Sequence, residues 1–477
     1  SCMKKITPKT QKNNIGKAAM NIIVLNGSPK GDLSVTLQYV RFAERKFPRH
    51  SFQVFPVAQM IRKIERDENA FQEVIGAVKT ADAVVWAFPL YFFLVCSQYK
   101  RFIELIFERG AQSAFAGKYT ACLSTSIHFF DHTAHNYMHS ICDDLQMNFA
   151  GSYSAAMYDL MRGKERARLL AFFSHFLDIL ERRAPLARVY PPLAAPPAAY
   201  IPGAAVTGVT VQDKRILILK DGQEPSGNTE VMTAQLAACL GGSADVVNLM
   251  DLDIKGGCLG CCKCGLDNVC DYQDKDGFVN FYEDKVKKAD VVVFAGAIHD
   301  RYLSSCWKMF FDRSFYNTHT PTLSGKQIAY LISGPLAQLP NLRQILEAYA
   351  EFQEADLAGI VTDEANDCTE TDILVEELAR RLAGPGGKPI QPMTFLGVGG
   401  RKIFRDEIYG MLRFVFQSDY RYYKKHGYLD FPQKNFKVRR MNMMMMILTK
   451  IPPVRKKFLK MLKEQMVKPL KYVAQNK

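Results

Sequence analysis

The chain has 477 residues, 48% hydrophobic and 11% aromatic, which is enough to fill two or three cores and too apolar for a disordered chain. Its formal net charge of +14 is uneven: residues 436–477 carry twelve Lys and Arg against Glu464 alone, so the charge belongs to the tail. No run of eighteen apolar residues exists, so no spanning helix is expected; the basic first twenty residues lack the apolar centre of a secretory signal, and twelve cysteines suit a reducing cytoplasm better than a disulfide framework.

After a leader expected to be flexible (1–19), Asn21-Ile22-Ile23-Val24-Leu25 is a short continuous apolar run, the pattern of a buried parallel strand. It passes directly into Asn26-Gly27-Ser28-Pro29-Lys30-Gly31-Asp32-Leu33-Ser34-Val35-Thr36-Leu37 and a helical stretch to about Lys46. A strand, a loop of Gly, Ser and Thr, and a helix N-terminus direct N–H groups and hydroxyls at one anion, the arrangement of a phosphate cradle; an ordinary turn between strand and helix is the alternative. Further strands are expected at 52–56, 81–88 and 119–124. The strand at 81–88 ends in Pro89-Leu90-Tyr91-Phe92-Phe93, aromatics that could wall a flat ring at the carboxyl end of a parallel sheet or pack under a loop. His128, His132, His135 and His139 have the spacing of one helix face; a solvent- or ligand-facing edge is favoured over a metal site, since no supporting carboxylate or thiolate shell can be placed around them.

Residues 184–212 are rich in Pro and Ala and read as a semi-rigid linker between a domain at 20–183 and one at 213–384. Beyond it the pattern restarts with the strand Arg215–Leu219 and a helix opened by Ser226-Gly227-Asn228-Thr229. Lys79-Thr80-Ala81-Asp82 corresponds to Lys287-Lys288-Ala289-Asp290, Lys100 to Lys308, Glu104 to Asp312 and Gly117-Lys118 to Gly325-Lys326, all at an offset of 208; Ile22 pairs with Ile216 at 194. The second copy therefore carries fourteen extra residues before Lys287, and a cysteine loop lies in that interval.

That loop, Gly257-Cys258-Leu259-Gly260-Cys261-Cys262-Lys263-Cys264 closed by Cys270, reads C-x2-C-x2-C-x5-C over Cys258, Cys261, Cys264 and Cys270, with Cys262 spare. Four thiolates on one glycine-eased loop suit a [4Fe–4S] cluster; zinc usually takes two separated knuckles, and a cysteine-rich turn without metal is the third reading. The copies have diverged elsewhere: the first has Gly27-Ser28-Pro29 and Pro89-Leu90-Tyr91 where the second has Asp221-Gly222-Gln223 and Ala297-Ile298-His299. Residues 385–477 form a basic extension, aromatic-rich over 404–430 and Met-rich over 441–446. Its stretch 455–466 has the pattern of a basic amphipathic helix that would lie on an anionic bilayer, in a partner's groove or on its own domain.

The first copy's Gly-Ser-Pro-Lys loop with Ser34, Thr36 and Pro89-Leu90-Tyr91 resembles the NAD(P)H-dependent FMN reductases. The second copy's Gly227-Asn228-Thr229 and cysteine spacing resemble the iron–sulfur flavoproteins of the same superfamily. The likeness covers roughly residues 20–175 and 213–380. It implies an α/β fold of two tandem flavodoxin-like, doubly wound parallel-sheet domains followed by the helical basic extension. It also implies an FMN-dependent oxidoreductase with NAD(P)H as donor. FMN would be held through Ser28, Lys30, Ser34, Thr36 and Leu37 at the phosphate and Pro89, Leu90, Tyr91, Phe92, Phe93, Ser124, Thr125 and Ser126 at the ring, with a possible cluster on the four cysteines. Relatives form dimers in which the cluster of one subunit meets the flavin of the other, so the duplication is expected to act as an intramolecular pseudo-dimer, with further homodimerisation open. The chain departs from the family at Val35, where Asn is common, and at the lost Pro-x-Tyr of copy two. The acceptor is a small molecule or redox protein, without nucleic acid; the alternatives are a non-enzymatic carrier docking a partner such as ferredoxin, and a peripheral membrane quinone reductase.

Overall fold

A computed structural model of the chain describes residues 19–194, 198–205, 209, 211, 213–222, 227–386, 392–461 and 470. The leader, parts of the linker and the end of the tail therefore lie outside the described residues. The chain forms two compact units, 1–420 and 421–477.

The first unit holds both copies. Copy one comprises β1 Asn21–Asn26, α1 Val35–Lys46, β2 Ser51–Phe55, α2 Ile61–Arg66, α3 Glu68–Thr80, β3 Ala83–Pro89, α4 Ser97–Glu108, β4 Tyr119–Ser126, α5 Asp131–Asp144, β5 Asn148–Ala156 and α6 Gly163–Arg182. Copy two comprises β6 Ile216–Lys220, α7 Asn228–Cys239, β7 Ala244–Asn248, the short turns α8 Cys264–Asp267 and α9 Phe278–Phe281, β8 Val291–Ala297, α10 Ser305–Ser314, β9 Gln327–Ser333, α11 Pro340–Phe352, β10 Asp356–Thr362 and α12 Cys368–Ala383. The extension contributes α13 Phe395–Tyr409, α14 Gln417–Lys425 and α15 Phe436–Leu448.

Each copy has a five-stranded, all-parallel sheet, ordered β2-β1-β3-β4-β5 in the first and β10-β9-β8-β6-β7 in the second. These are the tandem flavodoxin-like sheets expected from the sequence. The apolar runs are fully buried because helices cover both faces: Ile22, Val24, Val85 and Leu123 pack under α1 and α6, and Ile218, Val293 and Leu331 under α7 and α12. Register also places the insertion. Ile22 lies opposite Phe52 as Ile216 lies opposite Ala244, while Ala83 and Val291 hold equivalent places on the next strand. The extra residues of copy two thus fall between β7 and β8, where the cysteine loop sits.

The copies meet through α4 and α10, whose residues differ by the offset of 208. Glu104 Oε1 accepts from the Ser305 backbone N–H at 2.6 Å, and Asp312 Oδ2 accepts from the Ser97 N–H at 2.7 Å. Each helix thus offers a carboxylate from its own last turns to the first turn of the other, where N–H groups and the helix dipole favour negative charge; at α10 it adds to the Ser304 hydroxyl, which accepts from the Trp307 N–H at 3.3 Å. Both carboxylates are buried and charge-paired within their own helix, Glu104 with Lys100 at 2.8 Å and Asp312 with Lys308. Lys100 also reaches Asp300 of copy two at 2.9 Å, and Arg301 pairs with Asp144 at 2.6 Å. Burial pushes the Glu104 carboxyl up, but Lys100, Ser305 and Arg101 outweigh it and hold it at about 2. Asp312 is pushed up by its complete burial, with Lys308 opposing.

Two outcomes follow. Lys100→Met leaves Glu104 and Asp300 without their shared cation and is expected to destabilise the first unit by about 3–5 kcal/mol, read as a lowered thermal unfolding midpoint. Glu104 stabilises the fold fully above its ordinary value of 4.5, and that contribution is lost as pH falls toward 2. In Glu104→Gln the unfolding midpoint should therefore vary less between those pH values than in the unaltered chain.

Candidate functional site

The carboxyl ends of β1 and β3 flank the point where strand order reverses in copy one, the place where open parallel sheets bind ligands. The loop after β1 is shaped by its own side chains. The buried Asn26 accepts from the Ser28 N–H at 3.1 Å and donates to the Gly31 carbonyl at 3.3 Å, and Lys30 N–H donates to Ser28 Oγ at 3.3 Å. Ser34 caps α1 by accepting from the Leu37 N–H at 3.2 Å. Gly27 is required by packing: a Cβ there would come within 2.7 Å of the Tyr99 ring.

The second wall follows β3. Tyr91 and Leu94 exchange backbone hydrogen bonds of 2.7 and 3.0 Å, which forces Phe92 and Phe93 into left-handed backbone conformations. Bulky residues there cost of the order of 1–3 kcal/mol each. The cost is met by packing: Phe93 lies 4.7 Å from Phe130, and Phe92 lies 5.5 Å from Phe352 of copy two.

The third wall is the cysteine loop of copy two. Buried Arg313 anchors it, pairing with Asp276 at 2.7 Å and donating to the Gly256 carbonyl at 2.9 Å. Copy one receives it closely: Gln98 Nε2 donates to the Cys258 carbonyl at 3.0 Å. A Cβ at Gly260 would stand 1.8 Å from the Tyr91 hydroxyl oxygen and 3.0 Å from Lys30 Cε. Only glycine lets this backbone, at φ +62°, lie on that tyrosine.

Together these walls enclose a cavity of about 460 Å³, within the range of small-molecule sites. Of the residues expected at the phosphate and ring, Ser28, Lys30, Ser34, Pro89, Leu90, Tyr91, Phe92, Thr125 and Ser126 border it, as do Cys258, Cys261, Cys264 and Cys270, and also Cys262. Thr36, Leu37, Phe93 and Ser124 do not. Thr36 Oγ1 bonds Thr125 Oγ1 at 2.6 Å behind the wall; Leu37 faces the core; Phe93 is buried among aromatics; Ser124 bonds His135 Nε2 at 2.7 Å on the far side of β4. Thr36 thus supports the lining residue Thr125.

The histidines do not share a face toward a metal. Phe130 is left-handed, so α5 begins only at Asp131 and His128 lies before it, bonded to Asp131 at 2.8 Å. His132 meets Gln344 of copy two at 3.0 Å, and His139 stacks on Phe149 at 3.9 Å. Burial pushes His135 down to about 4, so it is neutral at pH 7.

A roof that sequence reasoning missed completes the cavity. Phe404 of α13 lies 4.5 Å from Phe129 and 4.1 Å from His319, and Met411, Leu412, Val415 and Phe416 follow it along the cavity. Buried Asp419 clamps the segment to copy two, accepting from His319 N–H at 3.0 Å and from Thr318 Oγ1 at 2.5 Å and pairing with His319 Nδ1 at 2.7 Å. Gly400 in α13 was the available signal, since a Cβ there would come within 2.4 Å of Phe129.

Copy two offers no comparable cradle among the described residues. The half-buried Asp221 stands in place of Gly27, its carboxyl pushed up by burial and bonded by the Ser304 hydroxyl. Glu230 follows one turn into α7 and pairs with Lys220. The linker takes the helix end: Tyr200 N–H donates to Asn228 Oδ1 at 2.9 Å, and Asn228 Nδ2 donates to the Ala198 carbonyl at 3.0 Å. Carboxylates and a seated linker oppose a phosphate there, whereas the copy-one loop presents hydroxyls and Lys30.

For the four cysteines, thiols suit a soft metal and all border one cavity, and Cys258 is influenced electrostatically by Cys264 and Cys270. As folded, however, no three His, Cys, Asp or Glu side chains among the described residues converge on a metal position. Burial, then neighbouring thiols, push Cys264 up to about 12, so it is a neutral thiol at pH 7.

A family model, NADPH-dependent FMN reductase, matches the chain twice, over residues 20–159 and 214–365, together more than half of its length. No curated protein matches it. Among solved structures it is similar to an apo NADH:FMN oxidoreductase (EMOB) at 18% identity and a TM-score of 0.29, over 33% of this chain and 88% of that one. It is similar to the NAD(P)H:(acceptor) oxidoreductase FerB of Paracoccus denitrificans at 16% identity and 0.28, over 34% and 98%. It is also similar to an FMN-dependent NADH-azoreductase of Bacillus anthracis at 13% identity and 0.26, over 35% and 100%.

The geometry predicts one FMN per chain. Flavin released from purified protein should approach one equivalent, and two tightly held equivalents would contradict the reading. Ser28→Ala should weaken FMN binding about tenfold, the size of a lost hydrogen bond to a charged group, while Asp221→Ala should leave it unchanged in a fluorescence titration.

Proposed function

Because the chain belongs to the NADPH-dependent FMN reductase family, we propose that it is an NAD(P)H-dependent flavin oxidoreductase whose single working site is built by both copies and roofed by the extension. The observation that carries this reading is the contact of Gly260 on Tyr91 and Lys30, which makes the cysteine loop of copy two a wall of the copy-one cavity.

In this reading Ser28, Lys30 and Ser34 hold the phosphate, through hydroxyls, a cation and the N-terminus of α1. Tyr91, Phe92, Thr125 and Ser126 hold the ring, and Thr36 braces Thr125 from behind. FMN bound there supplies hydride and single-electron chemistry. The protein's part is to position and to exclude water. Phe404, Leu412 and Phe416 shield the cavity from solvent, and the Tyr91 phenol stays protonated because burial, then the nearby Cys258, pushes it well above its ordinary value. Tyr91 therefore serves as a neutral hydrogen-bond donor facing the loop.

We assign the four cysteines as ligands of an iron–sulfur centre beside the flavin, which would supply one-electron transfer. The support is the donor type, the spacing on one loop and the shared cavity. Binding requires the loop to draw its sulfurs together from the positions they hold in this fold. Protein purified anaerobically should contain iron together with flavin. Cys261→Ser with Cys264→Ser should remove the iron and its visible absorption and slow oxidation by a one-electron acceptor, with FMN content unchanged. Iron-free protein whose spectrum and rates ignore both substitutions would remove the cluster and leave the flavin assignment standing.

A further inference from the structure

We propose that α15 is a docking element for an anionic phospholipid bilayer. Helices of water-soluble units ordinarily hide an apolar face, but α15 buries none of its residues. Phe436, Met443, Met446 and Ile447 are 72%, 61%, 69% and 59% exposed, and Met441, Met444 and Leu448 are exposed on the helix's other sides. Large apolar side chains exposed around most of a helix mark a contact surface.

The order of residues along the helix says what the contact is. Lys437, Arg439 and Arg440 occupy its first turns, Met441–Leu448 is apolar except for Asn442, and Lys450, Arg455, Lys456 and Lys457 follow. The apolar run is about 12 Å long, far short of the roughly 30 Å needed to span a bilayer. Among the described residues no helix is long and apolar enough to cross a membrane. A short apolar segment with cations at both ends instead lies at the headgroup boundary, its side chains entering about 5–10 Å. Methionine, flexible and polarisable, adapts to such a disordered surface.

Charge decides between occupants. Residues 436–477 carry twelve cations and one acid. A second copy of the tail would bring like charge to like, and a neutral groove would leave the cations unanswered. An anionic bilayer meets both the apolar run and the charge. The structure also shifts the emphasis from the 455–466 stretch. Its end lies outside the described residues, and the part described adds Arg455, Lys456, Lys457 and Lys460 to the basic border of α15.

The test uses the full-length flavin-loaded protein and sedimentation with vesicles. Binding to mixed phosphatidylserine–phosphatidylcholine vesicles should exceed binding to pure phosphatidylcholine at least tenfold. It should fall as salt rises from about 0.1 M to about 1 M, where screening shortens from roughly 10 Å to roughly 3 Å. Met443→Glu with Met446→Glu should weaken binding at least tenfold while leaving FMN content and the unfolding midpoint unchanged, since neither side chain is buried. Failure to bind anionic vesicles, equal binding to neutral ones, or undiminished binding by the double variant would overturn the proposal. So would self-association without vesicles that the same double variant abolishes, because the surface would then be a contact between copies.

Discussion

Everything at the cavity depends on one exchange of charge. Glu104 closes the N-terminus of α10 and Asp312 closes that of α4, each held ionised or poised by a lysine one turn away. Two helix ends and two carboxylates that would each be costly to bury alone answer one another. Because Asp312 and Arg313 are neighbours, the helix that binds Ser97 also carries the arginine that anchors the cysteine loop. The contact between copies and the position of the third wall are set by the same element.

The copies have divided the work. Copy one keeps a loop of hydroxyls around an open strand end and pays for an aromatic wall with two left-handed phenylalanines. Copy two fills its own strand end with Asp221, Glu230 and the linker, and its loop after β8 binds the other copy through Asp300 and Arg301. Copy two thereby serves as a platform for the other copy, and the insertion after β7 is what it presents. The roof from Phe404 to Phe416 belongs to neither repeat and turns an open cleft into an enclosed one.

Much of this was legible because it is local. Continuous apolar runs announced parallel strands, and the change of offset from 194 to 208 announced the insertion that carries the cysteine loop. The offset of 208 even paired Glu104 with Asp312, but what they do requires a helix end from the other copy, which no spacing reveals. The same limit explains the roof: an aromatic at 404 has meaning only against Phe129 and His319. Thr36, Leu37, Phe93 and Ser124 were grouped with true lining positions because a run of suitable residues does not show which alternate members face inward. The histidine pattern failed at a single residue, Phe130, whose backbone delays the helix.

The most direct measure of a site built by both copies and the extension is hydrogen exchange with and without FMN, followed by peptide. Added FMN should slow exchange in 26–34 and 89–93 and, in the same titration, in 256–264 and 404–416, leaving 220–230 unchanged. Protection limited to the copy-one segments, or appearing at 220–230, would contradict the account.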